Sequence, residues 1–181
     1  MTIKEVSERI RKANAGIREE IVKCMGENSR DMVASVREQL YSGVDGNDAY
    51  LSPTYENDPY FRERRAGFYD EDAGQYVSCY LHPERYIAWK MRITPPEAGR
   101  KLGLPARPAE VPNLFIVGTF HGSIDGKPTE RGVEIFTSGW TEGPEVERKY
   151  GSQIFGLGPH AVAHFNETFL WPWLISWLEE L

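Results

Sequence analysis

The sequence contains little cysteine and no long apolar run. Only two of its 181 residues are cysteines. Cys24 and Cys79 are too few and too far apart for a disulfide framework or a zinc knuckle, so we expect reduced thiols. The richest apolar stretch, 169–178, contains a proline and is about half as long as a membrane span. No apolar run opens the chain, which argues against a signal peptide. We therefore expect a soluble, cytoplasmic protein without a membrane partner.

Local signatures of catalysis are also missing. No serine or cysteine sits in a strand-turn-helix elbow that would activate a nucleophile. The glycines of 155–159 are not followed by the further glycine and the lysine of a phosphate-binding loop. We predict no catalytic residue and no cofactor. An enzyme is not excluded, because a pocket built from distant residues leaves no local motif.

Two histidines form the one pattern that suits a metal ion. His160 and His164 lie one helical turn apart, a spacing that can bind a divalent metal, and Glu167 lies about one further turn along. Ala161 occupies the position where a zincin protease needs its general-base glutamate, so that mechanism is absent. A metal-dependent hydrolase using His160 and His164 stays an alternative. The simpler interpretation is polar positions near the start of a helix.

The charge of the chain is negative and unevenly distributed. There are 21 basic and 27 acidic residues, a net charge of −6, which argues against nucleic acid as a partner. Residues 43–72 hold eight acids and three bases, whereas 85–107 holds six bases and only Glu97 as an acid. Such segments suit docking between copies or onto another protein, although solvated loops show the same pattern.

The chain is predicted to open with two amphipathic helices, or with one long helix bent at Gly26. Gly26 and Asn28 separate them, and Ser29 is expected to cap the second helix, which ends near Gly43. The first helix could seed a coiled coil, but packing on the chain's own sheet is the simpler interpretation. Its apolar stripe consists of Ile3, Val6, Ile10, Ala13, Ile17, Ile21 and Cys24.

A β-hairpin is predicted from 112–124 and 131–139. The first segment is apolar on both faces, as a covered central strand would be. Asp125-Gly126 supplies a turn signal between the two. Two further candidate strands, 76–81 and 86–93, are rich in aromatic and β-branched residues, and the second also fits a helical turn.

Two stretches are predicted to lack regular structure. The polar stretch 44–75 begins with turn residues, and Asp45, Asn47 and Asp48 favour Asx turns over a calcium loop, whose other ligands are missing. The stretch 94–112 contains five prolines. It cannot supply a regular ladder of backbone donors and is predicted to be an extended arm or long loop.

The chain is predicted to end in a helix. A short helix or turn ending at Gly151 precedes it, and the terminal helix runs from Pro159 to about Glu180, with a kink or division at Pro172. Its tryptophans exceed what one helix face usually buries. Trp171 is therefore a candidate anchor for a partner, with core packing as the simpler interpretation.

These elements predict an α+β fold with a small antiparallel β-sheet packed by N-terminal helices and a C-terminal helix. A chain of this length is expected to form one domain, 1–181. Its predicted parts are a helical region (1–43), a polar loop (44–75), a β-rich core with the arm (76–139), and a loop with the terminal helix (140–181).

The sequence favours a protein-binding or assembly protein over an enzyme. The expected partner is another protein or further copies of the chain. The same element layout occurs in small virion components that form rings at a phage neck or tail, an analogy of architecture that would place the protein in the virion. An acidic immunity-type module that neutralises a basic partner is the alternative. The candidate partner contacts are Arg92, Arg100, Lys101, Arg107, Tyr150, Phe155, Leu157, Trp171 and Trp173.

Overall fold

The predicted α+β class is confirmed by the computed structural model, which describes residues 2–63, 67–97 and 100–181. The helices are α1 (Ile3–Glu27), α2 (Ser29–Tyr41), α3 (Pro83–Ile93), α4 (Thr119–Ser123), α5 (Gly143–Tyr150), α6 (Pro159–Phe165) and α7 (Trp171–Glu180). The strands are β1 (Gly67–Asp70), β2 (Gln75–Ser78), β3 (Ile124–Thr129) and β4 (Gly132–Thr137). They form two separate antiparallel pairs, β1 with β2 and β3 with β4.

The two predicted N-terminal helices are confirmed. A capping box starts α1, in which the Thr2 hydroxyl accepts from the Glu5 N–H at 3.3 Å and the Glu5 carboxylate accepts from the Thr2 N–H at 2.6 Å. Asn28, one residue before the predicted Ser29, occupies the cap position of α2. The core helix is α2, which buries Met32, Val33, Val36, Gln39 and Leu40.

The predicted first strand of the central hairpin is wrong, whereas its returning strand is present as β4. Residues 112–118 have no regular structure, and α4 occupies the next five positions. Locally, the Asn113 carboxamide oxygen accepts from the Phe115 N–H at 3.2 Å, and Leu114 and Gly118 have φ angles of 52° and 85°. This local bonding and the two left-handed residues replace a strand ladder.

The true turn of the hairpin lies between Thr129 and Gly132. There the Thr129 hydroxyl accepts from the Arg131 N–H at 3.3 Å, and Gly132 has a φ of 141°. The predicted turn glycine, Gly126, is instead inside β3, where the strand crosses α2. A Cβ at Gly126 would lie 2.8 Å from Val33 Cγ2, so glycine is needed for this close approach.

The candidate strands between 76 and 93 have different outcomes. Part of the first is present as β2, but the second is wrong, because Pro83–Ile93 forms α3. Pro83 lies in the first helical turn, where its missing N–H is tolerated. Lys90 is buried on the inner side of α3, so a polar residue interrupts the apolar helical period that would have identified the helix.

Two hydrophobic clusters position the remaining elements. The first surrounds α2 and joins Val36 and Leu40 to Phe120, Ile124 and Ile154. The second packs α3 on the β1–β2 pair through Phe61, Phe68, Val77 and Cys79, with Tyr55 beside them. In the described part of the chain, the cluster around α2 and the cluster around α3 are separate, and we call the boundary between them the seam.

The long loop between α3 and α4 folds back on the chain. Leu102 and Leu104 are buried with Val44 and Ala161, and the Glu38 carboxylate accepts from the Leu102 N–H at 2.9 Å. The absence of regular structure is confirmed for 94–97 and 100–112, but the extended arm is wrong for these residues. Residues 98–99 of the predicted arm lie outside the described ranges.

The polar stretch 44–75 is only partly loop. Asp45 forms the predicted Asx turn, since its Oδ1 accepts from the N–H groups of Asn47 at 2.8 Å and Ala49 at 3.1 Å. The stretch also contains a 3₁₀ turn, Pro59–Arg62, and strand β1. Residues 64–66 lie outside the described part of the chain.

The terminal helix is divided before Pro172, as predicted. A π-helical segment, Asn166–Leu170, joins α6 to α7. Proline has no N–H to offer the carbonyl four residues earlier, and its ring crowds that carbonyl. The wider π turn accommodates both effects without breaking the helix. The short helix ending at Gly151 is also confirmed as α5.

Candidate functional site

The N-terminal part of α1 exposes a row of apolar side chains. Ile3, Val6, Ile10 and Ile17 are 91%, 39%, 56% and 40% exposed, and Cys24 is the one buried residue of this helix. The expected packing of the stripe on the chain's own sheet is therefore wrong for residues 3–17. It holds for the C-terminal end of α1, where the cluster that contains Cys24 packs against Val133 and Ile135 of β4.

The exposed stripe belongs to a wider surface without charge, which we call the α1 face. At 3.6 residues per turn it covers about a third of the helix circumference and extends for about 27 Å. All the charged residues between Thr2 and Ile21 fall on the remaining circumference. The α1 face consists of Ile3, Val6, Ser7, Ile10, Ala13, Asn14, Ile17 and Ile21.

Helix α7 packs on a different side of α1 and leaves the α1 face open. The Trp173 indole N–H donates to the Glu20 carboxylate at 2.9 Å, and the Arg9 guanidinium donates to the Leu178 carbonyl at 2.8 Å. The Trp177 ring lies over Gly16, whose missing side chain makes room for it. These contacts lie about a quarter turn from the α1 face and hold the helix against the body of the chain.

A cavity of about 250 Å³ opens at the seam between the two hydrophobic clusters. Its walls are largely aromatic, and they come from both clusters: Tyr55, Phe61, Tyr86, Phe120, Trp140 and Tyr150. Ring pairs stiffen the walls, with the Tyr55 and Tyr86 centroids 5.2 Å apart and those of Phe120 and Trp140 5.7 Å apart. Such a rigid apolar cavity with few polar groups has the character of a small-molecule site.

One of those polar groups is the buried amine of Lys90. The residue is only 1% exposed, lines the cavity and donates a hydrogen bond to the Phe115 carbonyl. Among the residues that the structure describes, no carboxylate forms an ion pair with it. Burial, with a smaller contribution from the Arg107 guanidinium, lowers the pKa of Lys90 to about 7.

The other titratable walls of this region are neutral near pH 7. Burial raises the pKa of Tyr55 to about 12 and raises those of Tyr86 and Tyr150 further. Burial also lowers the pKa of His121 to about 4, and its Nε2 is 2.9 Å from the Asn113 carbonyl oxygen. Lys90 is thus the group here whose charge changes near neutrality.

The rim of the cavity carries a paired charge. Asp58 and Lys149 form an ion pair there, and the other Asp58 carboxylate oxygen accepts from the Tyr60 N–H at 3.0 Å. Because the two charges satisfy each other, the rim adds little net charge to the cavity. The unpaired ammonium of Lys90 therefore dominates its electrostatics.

A separate cleft of about 450 Å³ has charges of both signs. Arg100 and Lys101, two of the predicted partner contacts, line it with Arg37. Arg100 stacks on the Tyr41 ring at 4.3 Å and pairs with Glu97. Arg37 donates to the Ile124 carbonyl at 2.6 Å, and its buried Nε has no hydrogen-bond partner among the described residues.

The other predicted partner contacts are scattered. Arg92 pairs with Asp70 at 3.2 Å and Asp72 at 2.7 Å. Arg107 is buried, with its guanidinium donating to the carbonyls of Val111 at 2.5 Å and Thr94 at 3.0 Å. Of the remaining predicted contacts, Tyr150 is buried and Phe155, Leu157 and Trp173 are half-buried. Trp171 is 54% exposed.

The two histidines of the metal alternative do not converge. His160 Nδ1 lies 2.5 Å from the Asp48 carboxylate, which also accepts from the His160 N–H at 3.1 Å. His164 Nδ1 lies 3.4 Å from the Thr168 hydroxyl. Across the described ranges, no three histidine, cysteine or acidic side chains are grouped to hold a metal ion. Asp48 instead caps the start of α6.

Sequence reasoning missed the residues that define the cavity. Lys90 gave no signal because an isolated lysine in an aromatic segment resembles any surface lysine. Its spacing of four from both Tyr86 and Thr94, each at least half-buried, was the available indication. Tyr86 comes from a segment whose aromatic residues indicated a strand, and Tyr55 comes from the polar stretch 44–75. Neither pattern predicts that the two rings meet.

Comparisons of this chain with protein-family models, curated proteins and solved structures found no match. In the described ranges, no helix combines the length and the apolar character needed to cross a bilayer. The function of this chain must therefore be inferred from its own geometry.

Proposed function

We propose that this chain is a protein-binding subunit that pairs with a further copy of itself through the α1 face. The observation that carries the proposal is the exposure of Ile3, Val6, Ile10 and Ile17 on one side of a 25-residue helix. Exposed apolar surfaces of this kind mark interaction sites. The proposed role is assembly, and it does not depend on the virion analogy, which stays a prediction.

The charge distribution supports a second copy as the partner. Because the α1 face has no charged residue, two copies can meet without burying an unpaired charge or opposing like charges. The charged residues flank the face and stay in solvent, as they do beside the seam of a coiled coil. A second copy already carries a matching apolar helix surface, its own α1 face, whereas a different partner would have to provide one.

The spacing of the face also supports self-pairing. Ile3 and Ile17 lie seven positions on either side of Ile10. An antiparallel pair centred on Ile10 therefore places Ile10 against its own copy and Ile3 against Ile17 of the other copy. Ala13, Ser7 and Asn14 lie between these layers and are small enough for close approach of the two helices. A two-fold interface requires this kind of self-complementary pattern.

The expected association is weak to moderate. Each fully buried isoleucine or valine contributes about 1.5–3 kcal/mol, but association itself costs several kcal/mol. We therefore expect a dimer with a dissociation constant on the order of micromolar. Sedimentation velocity over a range of concentrations should show a monomer converting to a dimer.

Paired variants test the face. Ile10→Glu places a charge at the centre of the α1 face and should leave the protein monomeric at every concentration. Ala15→Glu adds the same side chain to an exposed position on the opposite side of the helix, so it should dimerise like the native protein. A native protein that stays monomeric, or an Ile10→Glu variant that still dimerises, would refute the proposal.

A further inference from the structure

We propose that the aromatic cavity binds a small apolar monocarboxylate, with the carboxylate paired to Lys90 Nζ and the apolar part among the rings of Phe120, Trp140 and Tyr150. The cavity is lined by no residue of α1. This site is therefore independent of self-association, and either proposal can fail without the other.

The buried charges indicate an anionic ligand. Lys90 and Arg107 are 1% and 2% exposed, and in the described ranges neither forms an ion pair with a carboxylate. An isolated cation in an apolar interior is costly, and a carboxylate that forms a hydrogen-bonded ion pair with it offsets that cost. A ligand anion would supply the partner that the chain itself does not.

The size and lining of the cavity indicate the size and the apolar character of the rest of the ligand. A volume of about 250 Å³ is at the small end for ligand sites. The aromatic rings favour a flat or aliphatic body. Among the described residues that line the cavity, the one cation besides Lys90 is Lys149, which Asp58 already pairs, so a second ligand charge would have no partner there. A monocarboxylate with one apolar substituent matches these features.

A purely structural role for Lys90 makes a different prediction. Its hydrogen bond to the Phe115 carbonyl holds the loop in which Leu114 has a φ of 52°. If that bond were its whole purpose, the cavity would not distinguish a carboxylic acid from its neutral amide. Discrimination between the two therefore separates ligand binding from loop stabilisation.

The surroundings of Lys90 determine the pH dependence. Among the described residues, the titratable or charged groups near it are Arg107, His121, the four cavity tyrosines Tyr55, Tyr60, Tyr86 and Tyr150, and the rim pair Asp58 and Lys149. With the pKa of Tyr55 at about 12 and that of His121 at about 4, neither changes charge close to neutrality. Loss of the Lys90 proton above pH 7 should weaken carboxylate binding about tenfold per pH unit.

The test uses hydrocinnamate and its neutral amide, hydrocinnamamide, titrated into the full-length protein by calorimetry or NMR at about pH 6.5 and 8.5. At the lower pH the acid should bind at least tenfold more tightly than the amide. At the higher pH that preference should fall by about 25-fold, because the protonated fraction of Lys90 falls by that factor between the two pH values, and Lys90→Met should remove it. Lys127→Met removes an exposed lysine from β3 instead and should retain it.

Equal affinities for acid and amide in the native protein at both pH values would overturn the proposal, as would no binding of the acid at millimolar concentration. If Lys90→Met does not fold, the comparison of acid and amide at two pH values in the native protein decides the result alone.

Discussion

Lys90 illustrates how a single residue can oppose the stability of a fold. Its ammonium lies among aromatic rings and beside a second buried cation, so the neutral amine is favoured in the folded state. In the unfolded chain the amine keeps its ordinary pKa of 10.5. Residues that reduce stability in this way are characteristic of binding and catalytic sites.

This difference in pKa predicts how the free energy of unfolding depends on pH. Between about pH 7 and 10 the unfolded state binds more protons at Lys90 than the folded state, so Lys90 lowers stability most at the acidic end. Relative to native protein, Lys90→Met should therefore gain stability near pH 7, and the gain should shrink by roughly 1 kcal/mol per pH unit up to about pH 9.5.

Urea denaturation of both proteins at several pH values measures the difference between their free energies of unfolding. Comparing the two proteins cancels the contribution of the buried tyrosines, which both contain. Lys127→Met serves as the control and should differ from the native protein by a constant amount. A gap between native protein and Lys90→Met that does not change with pH would contradict the depressed pKa of Lys90.

At the scale of elements, α1 has two regions with different roles. Its C-terminal end packs through Cys24 beside Met32 and Phe165, whereas residues 3–17 are held by α7 on one side only. The attachment of α7 involves two hydrogen bonds and the contact of Trp177 with Gly16. The orientation of the α1 face thus depends on a small helix–helix interface.

Enlarging Gly16 should open that interface. A Cβ at this position would already lie 3.0 Å from the Trp177 ring, so the side chain in Gly16→Leu must displace the ring. We expect a red shift of tryptophan emission and stronger quenching by acrylamide, because Trp177 and Trp173 lose their cover. Ala15→Leu, one residue away on the exposed side, should leave both signals unchanged.

If Gly16→Leu keeps the native emission and quenching, α7 does not depend on contact with Gly16. Circular dichroism of the same samples distinguishes release of α7 from general unfolding. Release of α7 alone should leave most of the helical signal in place.

For the molecule as a whole, hydrogen bonds from Gln39 of α2 join the loop that follows α2 to the loop that precedes α6. Gln39 is fully buried, and its amide donates to the Gly156 carbonyl at 3.0 Å while its oxygen accepts from the Gly158 N–H at 2.8 Å. The same amide lies 3.4 Å from the Asp45 carbonyl oxygen. One side chain therefore satisfies backbone groups of two loops that are more than a hundred positions apart.

Replacing Gln39 by leucine should destabilise the whole fold. The side chain would fit by size, but the Gly156 carbonyl and the Gly158 N–H would be buried without partners, at about 1–3 kcal/mol each. We expect a fall of about 2–4 kcal/mol in the free energy of unfolding, measured by chemical denaturation. Gln75→Leu, at an exposed position of β2, should change it by less than about 0.5 kcal/mol.

A Gln39→Leu variant as stable as the Gln75→Leu control would mean that water or other groups satisfy the two loops. A single cooperative transition in both variants is also expected, because Gln39 lies on α2 next to Leu40, a member of the hydrophobic cluster around that helix.

Local features of the structure followed from the sequence because local interactions cause them. The apolar stripe of α1, the α2 helix after Asn28, the Asx turn at Asp45 and the end of α5 at Gly151 each depend on residues within a few positions. The division before Pro172 is similar, since the missing N–H belongs to that residue itself.

Where local signals competed, tertiary packing decided. Gly126 has the sequence of a turn but lies in a strand because β3 crosses α2 there. Residues 112–118 are apolar like a strand, yet the side chain of Asn113 and two left-handed residues keep them irregular. The segment at 86–93 is helical although Lys90, polar in sequence, is buried on its inner side and interrupts the apolar pattern.

The sequence alone thus determined the two N-terminal helices, the division of the terminal helix and which side of α1 is apolar. Periodicity identifies an apolar face, but it contains no information on what covers that face. Only the tertiary structure decided that α7 packs on one side of α1 and leaves the α1 face open. Only the structure brought Lys90 among rings from distant segments, because the cavity exists where two separate clusters meet.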